Sequence, residues 1–264
     1  MIVFSAFVPH SPLLIESISK DRYHKFDDTH EAIKELRVHL EASRPDVIIT
    51  LSAHANIHDS VFSLHLHESY RVDLTEFGDH ATTKSFQPDL ELASRVRRHM
   101  RTENLPLTLG SGEVLNYGAG VPLLLLTDNL HAKVLPISYS GLDAKTHLAF
   151  GRMLKDVFMN SSKRIAVIAS GDLSHCLSTD APMGFKKEGQ LFDDAVLEAV
   201  RNVSSAKLLT IPARVVKNSS ECAYRPLLLL FGILERMNVR PEILSYEAPF
   251  GVGYLVAAFR HPHI

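Results

Sequence analysis

Two short apolar runs constrain the fold of this sequence most. They are Asp46–Ser52 (DVIITLS) and Arg164–Ser170 (RIAVIAS), both rich in β-branched residues. Runs of this length predict strands, and the first is apolar enough to be buried on both faces, which is typical of a parallel sheet. Parallel strands need long crossover connections, and helices usually supply them. The two runs therefore indicate an α/β protein.

The other predicted elements alternate as this fold class requires. Further strands are predicted at Ile2–Val8, Val61–Leu66, Val134–Ser138 and Tyr254–Phe259. Apolar residues at helical spacing predict helices at Thr29–Ala42, Pro88–Met100, Lys145–Phe158, Gln190–Val200 and Cys222–Met237. His67–Gln87 and Gly171–Lys187 are predicted to be long loops, which are often functional in compact α/β domains. We expect a single-domain three-layer sandwich over residues 1–264, with a central, mostly parallel sheet and helices on both faces.

The composition excludes several classes of protein. The 264 residues are 45% hydrophobic and 22% charged with a formal net charge of −2, which argues against disorder and gives no electrostatic footprint for nucleic acid. No apolar run approaches the roughly 20 residues that a membrane-spanning helix needs, and the N-terminus lacks a basic leader region. Two cysteines cannot form a disulfide framework. We therefore expect a cytoplasmic protein with neither membrane nor nucleic-acid partners.

Three of the 15 histidines lie just beyond predicted strands. His10 follows the N-terminal strand, His54 follows DVIITLS, and His175 follows RIAVIAS after a short polar segment. In open α/β sheets, ligands bind outside the carboxyl ends of the strands. Imidazole is the commonest metal ligand and the usual acid or base near neutral pH. One such histidine could simply make a local hydrogen bond, but three together predict a metal or acid–base centre.

Glu221 is the candidate carboxylate for the same centre, because it opens the predicted helix Cys222–Met237. A carboxylate at a helix start is also explained by capping alone. Two histidines and one carboxylate form the facial triad of non-haem Fe(II) oxygenases, and the same ligands serve catalytic zinc. The metal is thus open between Fe(II), zinc and another divalent ion. Cys222 directly follows Glu221 as Cys176 follows His175, and a buried structural thiol is the commoner role.

Five short motifs surround these residues in a fixed order. They are FVPHSPLL, LSAH, SGDLSH, SSECAYRP and the closing FGVGYLVAAF. In this order they resemble the class III extradiol ring-cleavage dioxygenases, the group of the protocatechuate 4,5-dioxygenase catalytic subunit, over nearly the whole chain. Memo-like proteins share this fold, and the closing motif resembles dioxygenase-like proteins associated with that group.

The resemblance implies a role for each candidate residue. His10 and His54 would bind Fe(II), Glu221 would supply the carboxylate ligand, and His175 would be the acid–base that takes a proton from the substrate. Relatives typically carry Asp-His-Gly ahead of a Pro-Leu pair, whereas this chain has Asn-Tyr-Gly there. Tyr117 thus stands in the place of a second acid–base. The implied reactants are O2 and a small aromatic molecule, a catechol or a 2-aminophenol, and the fold is compatible with a homodimer.

Three functions are open on the sequence. The first is an Fe(II)-dependent extradiol dioxygenase. The second is a Memo-like metal-binding protein that acts with partners and has little or no ring-cleaving activity, which the tyrosine at position 117 favours. The third is a zinc hydrolase with the same ligands, which we rank last because no motif for stabilising an electrophile accompanies them.

Overall fold

The computed structural model describes residues 1–54 and 57–262, which contain two β-sheets. In chain order the strands are β1 (Ile2–Val8), β2 (Val47–Ser52), β3 (Phe62–His65), β4 (Tyr70–Leu74), β5 (Asp79–Phe86), β6 (Leu107–Gly110), β7 (Val114–Leu115), β8 (Lys133–Ser138), β9 (Ile165–Ser170), β10 (Arg240–Glu247) and β11 (Tyr254–Arg260). The larger sheet has the order β10-β11-β1-β9-β2-β8-β3-β6, and the smaller has the order β5-β4-β7.

The helices connect these strands. They are α1 (Glu16–Ser19), α2 (Asp27–Ala42), α3 (Leu90–Thr102), α4 (Tyr117–Leu126), α5 (Ala144–Met159), α6 (Lys187–Arg201), α7 (Ser205–Thr210), α8 (Ala213–Ser219) and α9 (Tyr224–Leu234). Short 3-10 turns occur at Pro12–Leu14, Lys20–Phe26, Thr75–Phe77 and Pro249–Gly251. No helix in residues 1–54 and 57–262 combines the length and apolar character that a membrane crossing requires.

The centre of the larger sheet is parallel. The strands β1, β9, β2 and β8 run in the same direction. On one side β11 pairs antiparallel with β1 and β10 pairs antiparallel with β11, and on the other side β3 pairs antiparallel with β8 and parallel with β6. Every residue of β2 and β9 is buried, as their continuous apolar sequences predict. The predicted mostly parallel α/β sheet is confirmed.

Alternate residues of each central strand face two separate cores. Along β2, Ile49 and Leu51 pack into a core shared with α3, α5, α6 and α9, whereas Ile48 packs into a second core shared with α2 and α4. Successive strand residues point to opposite faces, so each strand supports both layers of helices. Burial of one such side chain stabilises the fold by about 1.5–3 kcal/mol. The three-layer arrangement follows from this alternation.

The sequence prediction missed several elements, among them β10, α7 and α8, and two further differences bear on the site. His67–Gln87, which was expected to be a loop, contains the antiparallel pair β4 and β5, and β4 also pairs with β7 in the smaller sheet. In β5 the sequence DHATTKSF is mostly polar and only its two end residues are buried, so it lacks the apolar signal of a strand. The helix α4 was not predicted either, because it contains two glycines and Pro122, and an internal proline costs a helix about 3 kcal/mol.

Candidate metal centre

The strands that precede the three predicted histidines are neighbours in the larger sheet. β9 lies between β1 and β2, and its pairing to both is parallel. Because parallel strands end at the same edge of the sheet, the loops that carry His10, His54 and His175 leave from adjacent positions. This is the arrangement that the sequence predicts at the carboxyl ends of the strands.

Three potential metal-ligand atoms converge at this edge. The Nε2 atoms of His10 and His54 lie 3.1 Å apart, and the Sγ atom of Cys222 lies 3.2 Å from His10 Nε2. All three atoms lie within 4.8 Å of one another. Zinc–nitrogen bonds of about 2.0–2.1 Å and zinc–sulfur bonds of about 2.3 Å place neighbouring donors roughly 3.0–3.6 Å apart. The measured contacts therefore fit a single ion.

His10 is held firmly behind this cluster. Its side chain is buried, its backbone N–H donates to Asp172 Oδ1 at 3.0 Å, and its Nδ1 lies 3.3 Å from Ser170 Oγ. The Ser170 hydroxyl in turn donates to the carbonyl of Gly118 at the start of α4. Hydrogen bonds to the second ring nitrogen orient a ligating histidine and select its tautomer. Since Nδ1 has this partner, Nε2 is free to face the cluster.

His54 has an unusual backbone conformation. Its φ angle is 65°, in the left-handed region that residues other than glycine rarely adopt. Its ring stacks on Tyr117, with ring centroids 4.4 Å apart and an interplanar angle of 20°. Tyr117 itself follows Asn116, whose side chain caps α4 by accepting from the Ala119 N–H. Strained backbone of this kind costs about 1–3 kcal/mol and is concentrated at functional sites.

All three histidines are neutral near pH 7. Burial, together with the nearby His54 and His175 rings, lowers the pKa of His10 well below its usual value. Partial desolvation and the His175 ring lower the pKa of His54 to about 4, and burial lowers the pKa of His175. A metal binds the neutral form of imidazole. The low pKa values therefore favour metal binding over protonation.

His175 lies on the segment that follows β9 and is positioned through its backbone. Its N–H donates to the Ser219 carbonyl at 3.0 Å, and its carbonyl accepts from the Met183 N–H at 3.1 Å. The ring Nδ1 is buried and has no hydrogen-bond partner in the part of the chain that the structure describes. His175 thus offers an uncommitted ring nitrogen close to the other two histidines.

The carboxylate of Glu221 is occupied elsewhere. Its Oε2 accepts from the Tyr224 N–H at 2.6 Å and so caps α9. Burial raises the pKa of Glu221 to about 7, although this hydrogen bond and the positive charge of Arg225 oppose the shift. Among the described residues, no oxygen of Glu221 joins the cluster of three donors. The role of Glu221 as a metal ligand stays a prediction.

Cys222 is the residue whose position the sequence did not reveal. Its Sγ accepts from the Asp172 N–H at 3.2 Å, beside the loop that positions His10. Burial and the Asp172 carboxyl raise the pKa of the thiol well above its usual range, so it is protonated at neutral pH. A metal ion binds the thiolate and would displace that proton. The sequence offered one signal, its place directly after Glu221, and that signal fits a structural thiol equally well.

Comparison with known proteins identifies the family. The family described as the catalytic LigB subunit of aromatic ring-opening dioxygenase matches residues 5–257. The chain belongs to the LigB family. This agrees with the resemblance of its motifs to class III extradiol dioxygenases, and LigB-type domains typically bind a metal.

Individual relatives of this LigB-family chain are distant. Protein CA_C1420 of Clostridium acetobutylicum is 25% identical over 257 residues, which cover 94% of this chain and 55% of that protein. A MEMO1 family protein of Methanosarcina barkeri is 25% identical over 128 residues, which cover 48% of this chain and 45% of that protein. A MEMO1 family protein of Methanosarcina mazei is 25% identical over 115 residues, which cover 43% of this chain and 40% of that protein. The chain thus spans about half the length of these relatives.

A solved structure shares the fold. The crystal structure of an uncharacterized protein of Escherichia coli K12 superposes with a TM-score of 0.67 at 17% sequence identity, covering 98% of this chain and 99% of that one. At this identity the similarity establishes the fold alone.

Proposed function

We propose that this protein is a metal-dependent aromatic ring-opening dioxygenase that acts on a catechol or a 2-aminophenol. The observation that carries the proposal is the 3.1 Å contact between the Nε2 atoms of His10 and His54. The His175 ring is near enough to lower the pKa of both. A divalent ion held by the first two residues would supply the Lewis acidity and the electron path that join an electron-rich ring to O2. Fe(II) is the ion that this reaction class uses with two histidines and a carboxylate.

His175 is proposed to move the proton of the substrate. Its buried, unpartnered Nδ1 can accept a proton from a ring hydroxyl, because its lowered pKa keeps the ring neutral at pH 7. Tyr117 has a different role, since burial and the nearby Cys222 raise its pKa above the normal value of a phenol. It therefore keeps its proton at neutral pH and acts as a hydrogen-bond donor and as a stacking surface for His54.

The third metal ligand comes from one of two adjacent residues. In the dioxygenase we assign it to Glu221, which would turn from the α9 N-terminus towards the histidines. A carboxylate suits Fe(II), whereas the thiolate of Cys222 suits softer ions such as zinc or Cu(I).

The second candidate function is a Memo-like metal-binding protein with little ring-cleaving activity. The position of Cys222 favours it, because the sulfur already lies 3.2 Å from His10 Nε2. In that function the resident metal is held by a thiolate and two imidazoles, and the protein acts together with a partner.

The test is turnover under defined metal loading. Protein loaded anaerobically with Fe(II) and then mixed with a panel of catechols and 2-aminophenol under air should yield coloured ring-opened products. His10→Ala should abolish both iron binding and product, while His80→Ala, which alters an exposed histidine on β5, should change neither. Stoichiometric iron without product on the whole panel would reject the dioxygenase in favour of the Memo-like function.

A further inference from the structure

A cavity of about 270 Å³ opens beside His54. Ser63 and His65 of β3 contribute to it from the larger sheet, and Asp73 of β4 contributes from the smaller sheet. His54 both lines this cavity and belongs to the donor cluster, so the cavity adjoins the candidate metal centre. Small-molecule sites have volumes of about 300–1,000 Å³. A cavity just below this range suits a substrate with a single ring.

Ser63 indicates that the cavity receives a ligand. Its side chain is only 1% exposed, and its Oγ has no hydrogen-bond partner among residues 1–54 and 57–262. A buried polar group without a partner costs about 1–3 kcal/mol. A hydroxyl or amine of a bound molecule would supply the missing partner and recover that cost.

His65 forms a rigid part of the cavity wall. It lies two residues after Ser63 on β3, so both side chains project from the same face of the strand. Its Nε2 lies 3.1 Å from Ser138 Oγ, and its ring packs against Gly110, where an added Cβ would come within 2.9 Å of His65 Nδ1. The wall beside Ser63 is therefore preorganised.

The ionisable groups around the cavity are acids and imidazoles. In the described part of the chain its lining contains no lysine or arginine; its ionisable lining residues are His54, His58, His65, Asp73 and Glu76. Asp73 forms an ion pair with Arg71, whose Nη1 lies 2.6 Å from the carboxylate. Glu76 has no ion pair among the described residues and is exposed at the cavity rim. Because the Arg71 charge balances only Asp73, the unpaired Glu76 gives the cavity lining a net negative charge.

The protonation states preserve this charge at neutral pH. Hydrogen bonds from Thr75 and from Arg71 lower the pKa of Asp73 to about 2, so it is ionised. Burial and the neighbouring His58 lower the pKa of His65, so its ring does not offset the acids.

From this lining we propose that the cavity selects aromatic substrates whose ring substituent is cationic or uncharged and disfavours aromatic carboxylates. The inference rests on the proposed ring-opening function and names its substrate class. An ammonium group in the cavity is attracted by Glu76 and can donate to the hydroxyl of Ser63. A carboxylate there meets a like charge without a lysine or arginine to neutralise it.

Three catechols that differ in their substituent test the proposal. Dopamine carries an ammonium, 4-ethylcatechol is uncharged and 3,4-dihydroxyphenylacetate carries a carboxylate. Calorimetric titration of the anaerobic, Fe(II)-loaded protein measures binding without turnover. We expect dopamine to bind about three- to tenfold more tightly than 3,4-dihydroxyphenylacetate, with 4-ethylcatechol between them. Equal affinities, the reverse order, or no binding of dopamine would overturn the proposal.

A charge-neutralising variant locates the selectivity. Glu76→Gln should bring the affinity ratio of dopamine to 3,4-dihydroxyphenylacetate close to one. The matched control is Glu113→Gln, which removes an exposed acid near Arg71 that does not line the cavity and should leave the ratio unchanged. An unchanged ratio in the Glu76 variant would contradict the assignment.

The binding result is independent of the ring-opening result. Preferential binding of dopamine with no product under air would reject the proposed reaction and keep the cavity assignment. Ring opening that depends on His10, together with equal binding of all three catechols, would keep the reaction and reject the cavity assignment.

Discussion

The candidate centre has two sides that differ in how they are built. On the strand side, His10 and His54 follow β1 and β2, and their Nε2 atoms meet at 3.1 Å as the sequence predicts. On the helix side, Glu221 and Cys222 precede α9, and the structure brings Cys222 rather than Glu221 to the histidines. The sheet sets the first side through its parallel register, whereas a turn of the backbone sets the second.

The turn before α9 explains the difference. Ser220 has a φ angle of 56°, a left-handed conformation that reverses the chain after α8. Once the chain has turned, the Glu221 side chain reaches the α9 N-terminus and that of the next residue reaches His10. Neighbouring residues in a turn point in different directions, so a shift of one position changes the chemical nature of the third donor. Strand ends are thus a firmer guide to a site than helix starts.

The largest expected effect separates the two residues on the helix side. In metal titrations, Cys222→Ser should weaken zinc binding by at least the roughly 10–100-fold that loss of a residue supporting a ligand costs, because it removes a donor that already faces His10. Glu221→Gln should leave zinc affinity within about threefold. The same variant should lower Fe(II) affinity and ring opening, because the proposed dioxygenase uses the Glu221 carboxylate as its third iron ligand. Equal loss of zinc by both variants would show that the two side chains share one role.

The second largest effect is on stability, and it tests whether the strand side and the helix side of the centre pack directly against each other. Gly171 directly follows β9 and its N–H donates to the Val8 carbonyl, and an added Cβ would come within 2.5 Å of the Ala223 Cα just before α9. Gly171→Ala should therefore reduce the free energy of unfolding by about 2–3 kcal/mol, measured by urea denaturation. Gly112→Ala is the control, because its nearest atom lies 3.9 Å from the added Cβ. Equal stability of both variants would mean that the two sides can separate without cost.

The smallest effect concerns the segment that carries His175. Asp193 of α6 is buried and accepts from the Ser174 N–H at 2.9 Å, and burial raises its pKa to about 6. Its folded pKa lies above its unfolded value, so the folded state binds the extra proton and stability falls as pH rises from about 4 to above 6.

Asp193→Asn removes this pH dependence and keeps an oxygen acceptor for Ser174. We expect the variant to exceed the natural protein in free energy of unfolding by on the order of 1 kcal/mol at pH 8 and to lose that advantage near pH 4. Denaturation at both pH values is the measurement. A constant difference between the two proteins at all pH values would contradict the assigned titration.

The sequence also predicted the main sheet better than the smaller one. β2 and β9 were predicted to within one residue, because their apolar residues can be buried only inside a sheet. β5 was missed because most of its residues are polar and only two are buried, and its pairing with β4 supplies its structure. The cavity beside His54 was missed with it, since Asp73 belongs to the same smaller sheet.

The sequence by itself determined the α/β class, the parallel centre and the placement of three histidines at one edge, since hydrophobic periodicity dictates which elements are buried and strand ends follow from it. Only the tertiary structure decided which atoms meet. The contact of Cys222 with His10, the capping role of Glu221 and the acidic cavity beyond His54 depend on turns and on packing between residues far apart in the chain. Such contacts arise from the geometry of the whole fold, and no local pattern of residues encodes them.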